Sequence, residues 1–126
     1  FEIAPQIAAE LLQGESGVYI WGGEPTIMLP ENPGQGGRNQ SLSLALAREI
    51  RGAENISILV AGTDGTDGPT DAAGGLVDGL TADDPSRLES ALKHANAGTY
   101  LAQRDALFKT GPTRTNVMDL VIAIVG

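Results

Sequence analysis

Ile56-Ser57-Ile58-Leu59-Val60-Ala61 runs directly into Gly62-Thr63-Asp64-Gly65-Thr66-Asp67-Gly68-Pro69-Thr70-Asp71-Ala72-Ala73-Gly74-Gly75. Five of the first six residues are apolar, so alternation is weak, and the pattern predicts a strand covered by helices on both faces. The strand then empties into a loop of glycine, threonine and aspartate. In open α/β sheets such loops, at the carboxyl ends of strands, are where ligands bind. Glycines let backbone N–H groups approach an anion, threonines offer hydroxyls, and aspartates hold a metal or take a proton. The loop therefore reads as phosphate or polyanion chemistry.

Either side of this stretch, helices and strands alternate. Pro5 stands at a helix start, and Ile7, Ala8, Leu11 and Leu12 fall on one face, with Gly14 and Gly17 ending the helix. Val18-Tyr19-Ile20-Trp21 reads as a strand, and Thr26-Ile27-Met28-Leu29 as another joined to it through Gly22-Gly23-Glu24-Pro25. A helix is expected over 39–51, with Leu42, Ala45, Leu46 and Ile50 on one face and Gly52 as its stop. Gly75 to Val77 is ambiguous. Asp83-Asp84-Pro85-Ser86 opens a helix with Leu88, Ala91, Leu92 and Ala95 on its apolar face, and a further short helix is expected over 100–107. Leu120-Val121-Ile122-Ala123-Ile124-Val125 is a last buried strand. The fold class expected is α/β, one layered domain over 1–126 with a mixed, mostly parallel sheet flanked by helices.

Composition narrows the functions open to such a domain. The 126 residues carry a net charge of −8, which disfavours nonspecific nucleic-acid or anionic-membrane binding. Aromatics are 4%, too few for a base-stacking platform. No apolar run approaches the roughly 20 residues of a membrane helix. The absence of cysteine removes disulfides, thiolate catalysis and Cys-ligated zinc, and suits a cytoplasmic setting. Phe1 rather than Met opens the chain and no secretory leader is recognisable, so a piece of a longer protein is also expected.

Two further loops carry candidate chemistry. Gly34-Gln35-Gly36-Gly37-Arg38-Asn39-Gln40 runs into a helix N-terminus, where free N–H groups and the dipole attract anions. Arg38 there could hold a phosphate or carboxylate in a bidentate pair. The plainer reading is a tight turn with Asn39 as N-cap and Arg38 in solvent. Glu24 could orient Arg38 or simply be exposed. The Walker A pattern fails because Arg38-Asn39 stands where Lys-Ser/Thr is needed, and the dinucleotide pattern fails because position 39 is not glycine. In the opening loop, Thr66 breaks the calcium-loop pattern, while magnesium needs only one or two carboxylates plus phosphate oxygens. Asp64, first after the strand, is best placed for that or for general-base work. Asp67 and Asp71 are weaker candidates, and Asp71 could cap a helix. In Thr110-Gly111-Pro112-Thr113-Arg114-Thr115-Asn116, Thr113 and Asn116 could bind substrate, with locking of the neighbouring loops the plainer role. The only histidine, His94, reads as a surface residue, so no Ser-His-Asp arrangement exists. Around Arg38 and Asp64, the residues offered for substrate or phosphate are Gly36, Gly37, Asn39, Thr63, Thr66, Asp67, Thr113 and Asn116.

Taken in order, Gly22-Gly23-Glu24-Pro25-Thr26, Gly34-x-Gly36-Gly37-Arg38-Asn39-Gln40, Thr63-Asp64-Gly65-Thr66-Asp67-Gly68 and Thr110-Gly111-Pro112-Thr113-x-Thr115-Asn116-Val117-x-Asp119-Leu120 resemble the MOFRL domain, the C-terminal domain of glycerate 2-kinases. Many members carry an older label, hydroxypyruvate reductase. The resemblance covers about 18–125; Pro25 stands where the family often has threonine. It implies a C-terminal piece of a two-domain enzyme that transfers the ATP γ-phosphate to the 2-hydroxyl of D-glycerate with magnesium. The site would lie in a cleft facing a larger N-terminal domain that is the partner missing here. Arg38 matches the family arginine assigned to substrate or phosphate, and Asp64 the family aspartate of the cleft, a possible magnesium contact through phosphate. ATP and magnesium would belong to the full enzyme, and the isolated chain would be inactive. The alternatives are an NAD(P)H-dependent hydroxypyruvate reductase domain and a non-catalytic binding module.

Overall fold

The computed structural model describes residues 3–23, 36–68 and 70–126. Glu24, the strand expected over 26–29, and Gly34 and Gln35 of the glycine loop lie outside the described residues. In chain order the elements are α1 (Ile3–Gln13), β1 (Gly17–Gly23), α2 (Arg38–Glu49), β2 (Ile56–Gly62), β3 (Gly74–Asp78), α3 (Pro85–Lys93), α4 (Ala97–Gln103), β4 (Leu107–Phe108) and β5 (Asp119–Val125). The helices at 3–13, 38–49 and 85–93 follow the apolar periodicity of the sequence. At the third, Asp84 accepts a hydrogen bond from the Arg87 N–H at 3.2 Å and Pro85 fills the first turn, so the cap is the one that sequence chemistry favours. The last helix begins earlier than expected, at Ala97, and Leu107 belongs to a two-residue strand instead.

The strands form one five-stranded sheet in the order β1-β5-β2-β3-β4, and every neighbouring pair is antiparallel. This corrects the mostly parallel sheet expected from the alternation of strands and helices. The physical reason lies in β5. It is antiparallel to β1 on one side and to β2 on the other, so β1 and β2 run the same way with β5 between them. A helix therefore does connect two strands of like direction, but the last strand of the chain separates them, a split βαβ arrangement. An apolar strand sequence records that it is buried and not which way its neighbours run.

The second correction concerns the faces. Ile56, Ile58 and Val60 of β2, with Val121, Ala123 and Val125 of β5, are buried toward the helices. The opposite face carries Leu59 and Ile122 side by side, flanked by Ile20 and Leu76, and among the described residues no helix covers it. Val18, Ile20, Leu76 and Ile124 are exposed there. The strands are thus apolar on both faces although helices cover only one.

Helix α2 is the centre of the domain. It packs on β2 and β3 and is flanked by α1, α3 and α4. Every residue from Asn39 to Ala47 is buried. Its sequence explains how: residues 39–47 carry no charge, and the polar ones are small or amidic. Among the described residues, no helix is long and apolar enough to cross a membrane.

Candidate functional site

The central helix brings its first residue, Arg38, to one end of the sheet. That end is made by Gly23 of β1, Asp119 of β5 and Gly62 of β2, which pair in register. Asp119 thus has a glycine beside it on each neighbouring strand. Its carboxylate receives Arg38 side-on: Nε donates to Oδ2 at 2.6 Å and Nη2 to Oδ1 at 3.3 Å. The Asp119 side chain is 5% exposed and that of Arg38 is 37% exposed, so the anion is sealed while the guanidinium reaches the surface.

Gly62 ties this pair to the aspartate at the head of the loop. A side-chain carbon on Gly62 would lie 3.2 Å from Asp119 Oδ1 and 3.2 Å from Asp64 Oδ1, and 2.6 Å from the Thr66 carbonyl oxygen. Only glycine lets both carboxylates approach the backbone so closely. Asp64 is half-buried, and its Oδ1 accepts the Thr66 N–H at 3.0 Å, a local turn that holds the side chain in place. Arg38, Asp64 and Asp119 therefore meet at one end of the sheet.

Asp67 has a different position. Gly37 is the N-cap of α2 and has no side chain to satisfy the first turn. The Asn39 N–H donates to Asp67 Oδ1 at 2.9 Å and the Gln40 N–H to Oδ2 at 2.7 Å. A carboxylate 28 residues away thus performs the capping role, and it takes the N–H groups that the sequence offered to a phosphate. A side-chain carbon on Gly37 would lie 2.5 Å from this carboxylate, which explains glycine at the cap. Burial pushes the Asp67 carboxyl above the usual range, against the two N–H bonds and the nearby Arg38; Asp119 adds to the rise. Gln40 Nε2 donates to Thr70 Oγ1 at 2.9 Å, and Thr70 Oγ1 donates to the Asp67 carbonyl at 2.8 Å, so the loop is tied to the helix twice.

Thr63 and Thr113 hold two loops together. Thr63 Oγ1 donates to the Met118 carbonyl at 2.7 Å and accepts the Val117 N–H at 2.8 Å. Thr113 Oγ1 donates to the Thr63 carbonyl, and the Thr113 N–H donates to the Asp64 carbonyl at 3.2 Å. Asn116 Oδ1 accepts the Met118 N–H at 2.9 Å. Thr66 is exposed beside Asp64, and Gly36 is half-buried beside Gly37. Asn39, one residue into the helix rather than its cap, is 0% exposed. Among the described residues its amide nitrogen and oxygen have no hydrogen-bonding partner, and it borders a cavity of about 110 Å³ with Trp21, Leu42 and Asp119. Asp71 caps no helix; it is exposed and lies 3.4 Å from Lys109 Nζ. His94 is exposed on its helix end. Among the described residues, no group of three or more His, Cys, Asp or Glu could hold a metal ion.

Asp119 was not singled out by the sequence. Its signal is a lone carboxylate at the head of a strand that is otherwise wholly apolar, Leu120 to Val125. Nothing in the sequence pairs it with Arg38, 81 positions earlier.

The chain as a whole resembles known proteins. The chain is 47% identical over 113 residues to the D-glycerate 2-kinase of Thermotoga maritima, covering 84% of this chain and 26% of that protein. It is 45% identical over 112 residues to the glycerate 2-kinase of Pyrococcus horikoshii, covering 86% of this chain and 25% of that one. The crystal structure of a glycerate kinase from Thermotoga maritima superposes with a TM-score of 0.92 at 39% identity, over 99% of this chain and 33% of that chain. The matched stretch thus spans about a quarter of the length of these curated relatives. The MOFRL family profile matches residues 17–119, from β1 to the buried aspartate that opens β5, and the chain belongs to the MOFRL family.

Proposed function

We propose that this chain is the C-terminal part of a glycerate 2-kinase and forms one wall of the cleft in which ATP phosphorylates D-glycerate. The observation that carries the reading is the meeting of Arg38, Asp119 and Asp64 around Gly62, at the end of the sheet where the loops gather. Phosphoryl transfer needs little covalent chemistry from a protein; it needs positioning and neutralisation of charge on the moving phosphoryl oxygens. Arg38 supplies a charge that never titrates, in a planar fork suited to phosphate or carboxylate. Asp64, held by the Thr66 N–H, supplies an oxygen donor or a proton acceptor at the same place.

The donor set suits magnesium, which takes hard oxygen ligands and commonly needs only one or two carboxylates beside substrate phosphates. Asp64 is the residue that would hold it. When bound, the ion would neutralise phosphate charge. The glycine loop at Gly36 and Gly37 shapes the wall, and Asp67 fixes the start of the helix that carries Arg38. Thr63 and Thr113 lock the two neighbouring loops together, and Asn116 holds a turn within the second. The substrate, a small hydroxy acid, and the rest of the polypeptide complete the cleft.

The test uses a chimaera in which residues 1–126 replace the matching third of the Thermotoga maritima enzyme. ATP- and magnesium-dependent phosphorylation of D-glycerate is expected, and Arg38→Ala should lower kcat by about 100-fold or more, as loss of a transition-state charge donor does. Unchanged turnover would leave a binding module as the better reading. NADH-dependent loss of hydroxypyruvate, without phosphorylation, would favour the reductase.

A further inference from the structure

The Arg38–Asp119 pair has a geometry that a chance surface contact lacks. The carboxylate takes Nε and Nη2 together, which fixes the plane of the guanidinium and not merely its distance. Asp119 is held by the backbone at the head of a central strand, between β1 and β2, and is almost wholly buried. Its neighbours in register are Gly23 and Gly62, neither of which carries a side chain beside it. The helix that carries Arg38 is fixed at the same end by Asp67. Each member of the pair is thus anchored separately.

We infer that Asp119 is a positioning residue for the transfer reaction, orienting the Arg38 guanidinium toward the cleft shared with Asp64. This rests on the kinase reading of Arg38 and gives Asp119, to which that reading assigns no task of its own, a role. The carboxylate does not touch the phosphate in this account. It holds Nε and Nη2 from behind, so the arginine enters the reaction already ordered and loses little side-chain freedom in the transition state. Buried and hydrogen-bonded ion pairs lose most when one partner is removed, which makes the coupling measurable.

The experiment is a double-mutant cycle in the chimaera, with Arg38→Ala, Asp119→Asn and both together, each checked for a native unfolding transition. Asp119→Asn keeps the shape and removes the charge. It is expected to lower kcat about tenfold or more while KM for ATP changes less than about threefold, and to cost less than about threefold once Arg38 is already alanine. Arg38→Lys, which keeps the charge and loses the fork, should lose kcat nearly as Arg38→Ala does, and it serves where Asp119→Asn does not fold. If Arg38→Ala leaves turnover intact, the kinase reading of Arg38 falls and this inference falls with it. If Arg38→Ala lowers turnover but Arg38→Lys does not, orientation by Asp119 is wrong while the kinase reading stands. Orientation by Asp119 is equally wrong if Asp119→Asn costs as much without Arg38 as with it.

Discussion

Asp67 and Asp119 are both nearly inaccessible to water, and each is matched to a different kind of positive partner. Asp119 meets a full charge, the Arg38 guanidinium. Asp67 accepts its hydrogen bonds from two helix N–H groups, which carry partial charges, while Arg38 acts on it without a hydrogen bond. Burial holds the Asp67 carboxyl above its ordinary pKa, with the Asn39 and Gln40 N–H groups and Arg38 opposing and Asp119 reinforcing. The folded chain therefore binds this proton more tightly than the unfolded chain. The associated stability is full below the unfolded pKa and is lost as pH rises through the higher folded value. Asp67→Asn removes the titration. Urea unfolding of both chains from about pH 3 to about pH 7 should show the parent losing stability relative to Asp67→Asn as pH rises. A difference that grows in the parent's favour with pH would mean that the helix start and Arg38 outweigh burial. Arg38 and Asp64 were legible in the sequence because a glycine loop before a helix and an aspartate after a strand are local patterns. The partners of Asp67 and Asp119 were not, since they lie 28 and 81 positions away and depend on the sheet register.

At the level of elements, local chemistry was the better guide and pairing the worse. Apolar spacing found α1, α2 and α3, and the Asp84-Pro85 pair found the start of α3. Continuous apolar runs found β2 and β5. Strand direction was hidden because it is set by which strands meet, and β5 enters between two strands that precede it by many residues. The two-residue β4 was hidden because Leu107-Phe108 offers no period to read. The double apolarity of the strands misled for a related reason: one side faces helices and, among the described residues, the other does not. Stability should follow this division. Ile58 is fully buried beneath α2 and Ile20 is 65% exposed on the bare face. Ile58→Ala should cost about 2–5 kcal/mol of unfolding free energy, and Ile20→Ala about 1 kcal/mol or less. Denaturant unfolding of the 126-residue chain measures both, and equal losses would show that the outer face is packed in solution.

At the scale of the whole molecule, the loops gather at one end of the sheet, and the chemistry there is one-sided. That end offers Arg38, two aspartates that face the same gap at Gly62, and interlocked loops that hold them. A phosphoryl transfer needs a donor and an acceptor held in line, with charge neutralised on both sides of the moving group. The relatives that share this domain are about three times as long as the chain. The kinase reading therefore predicts that the 126-residue chain alone, although folded, gives no ATP- and magnesium-dependent phosphorylation of D-glycerate above the background reaction. The chimaera under the same conditions should turn over, and the comparison needs only a coupled assay of ADP release with circular dichroism as the control for folding. Turnover by the isolated chain that Arg38→Ala abolishes would place the complete site on this domain, with the cleft closed by its own loops rather than by a second domain.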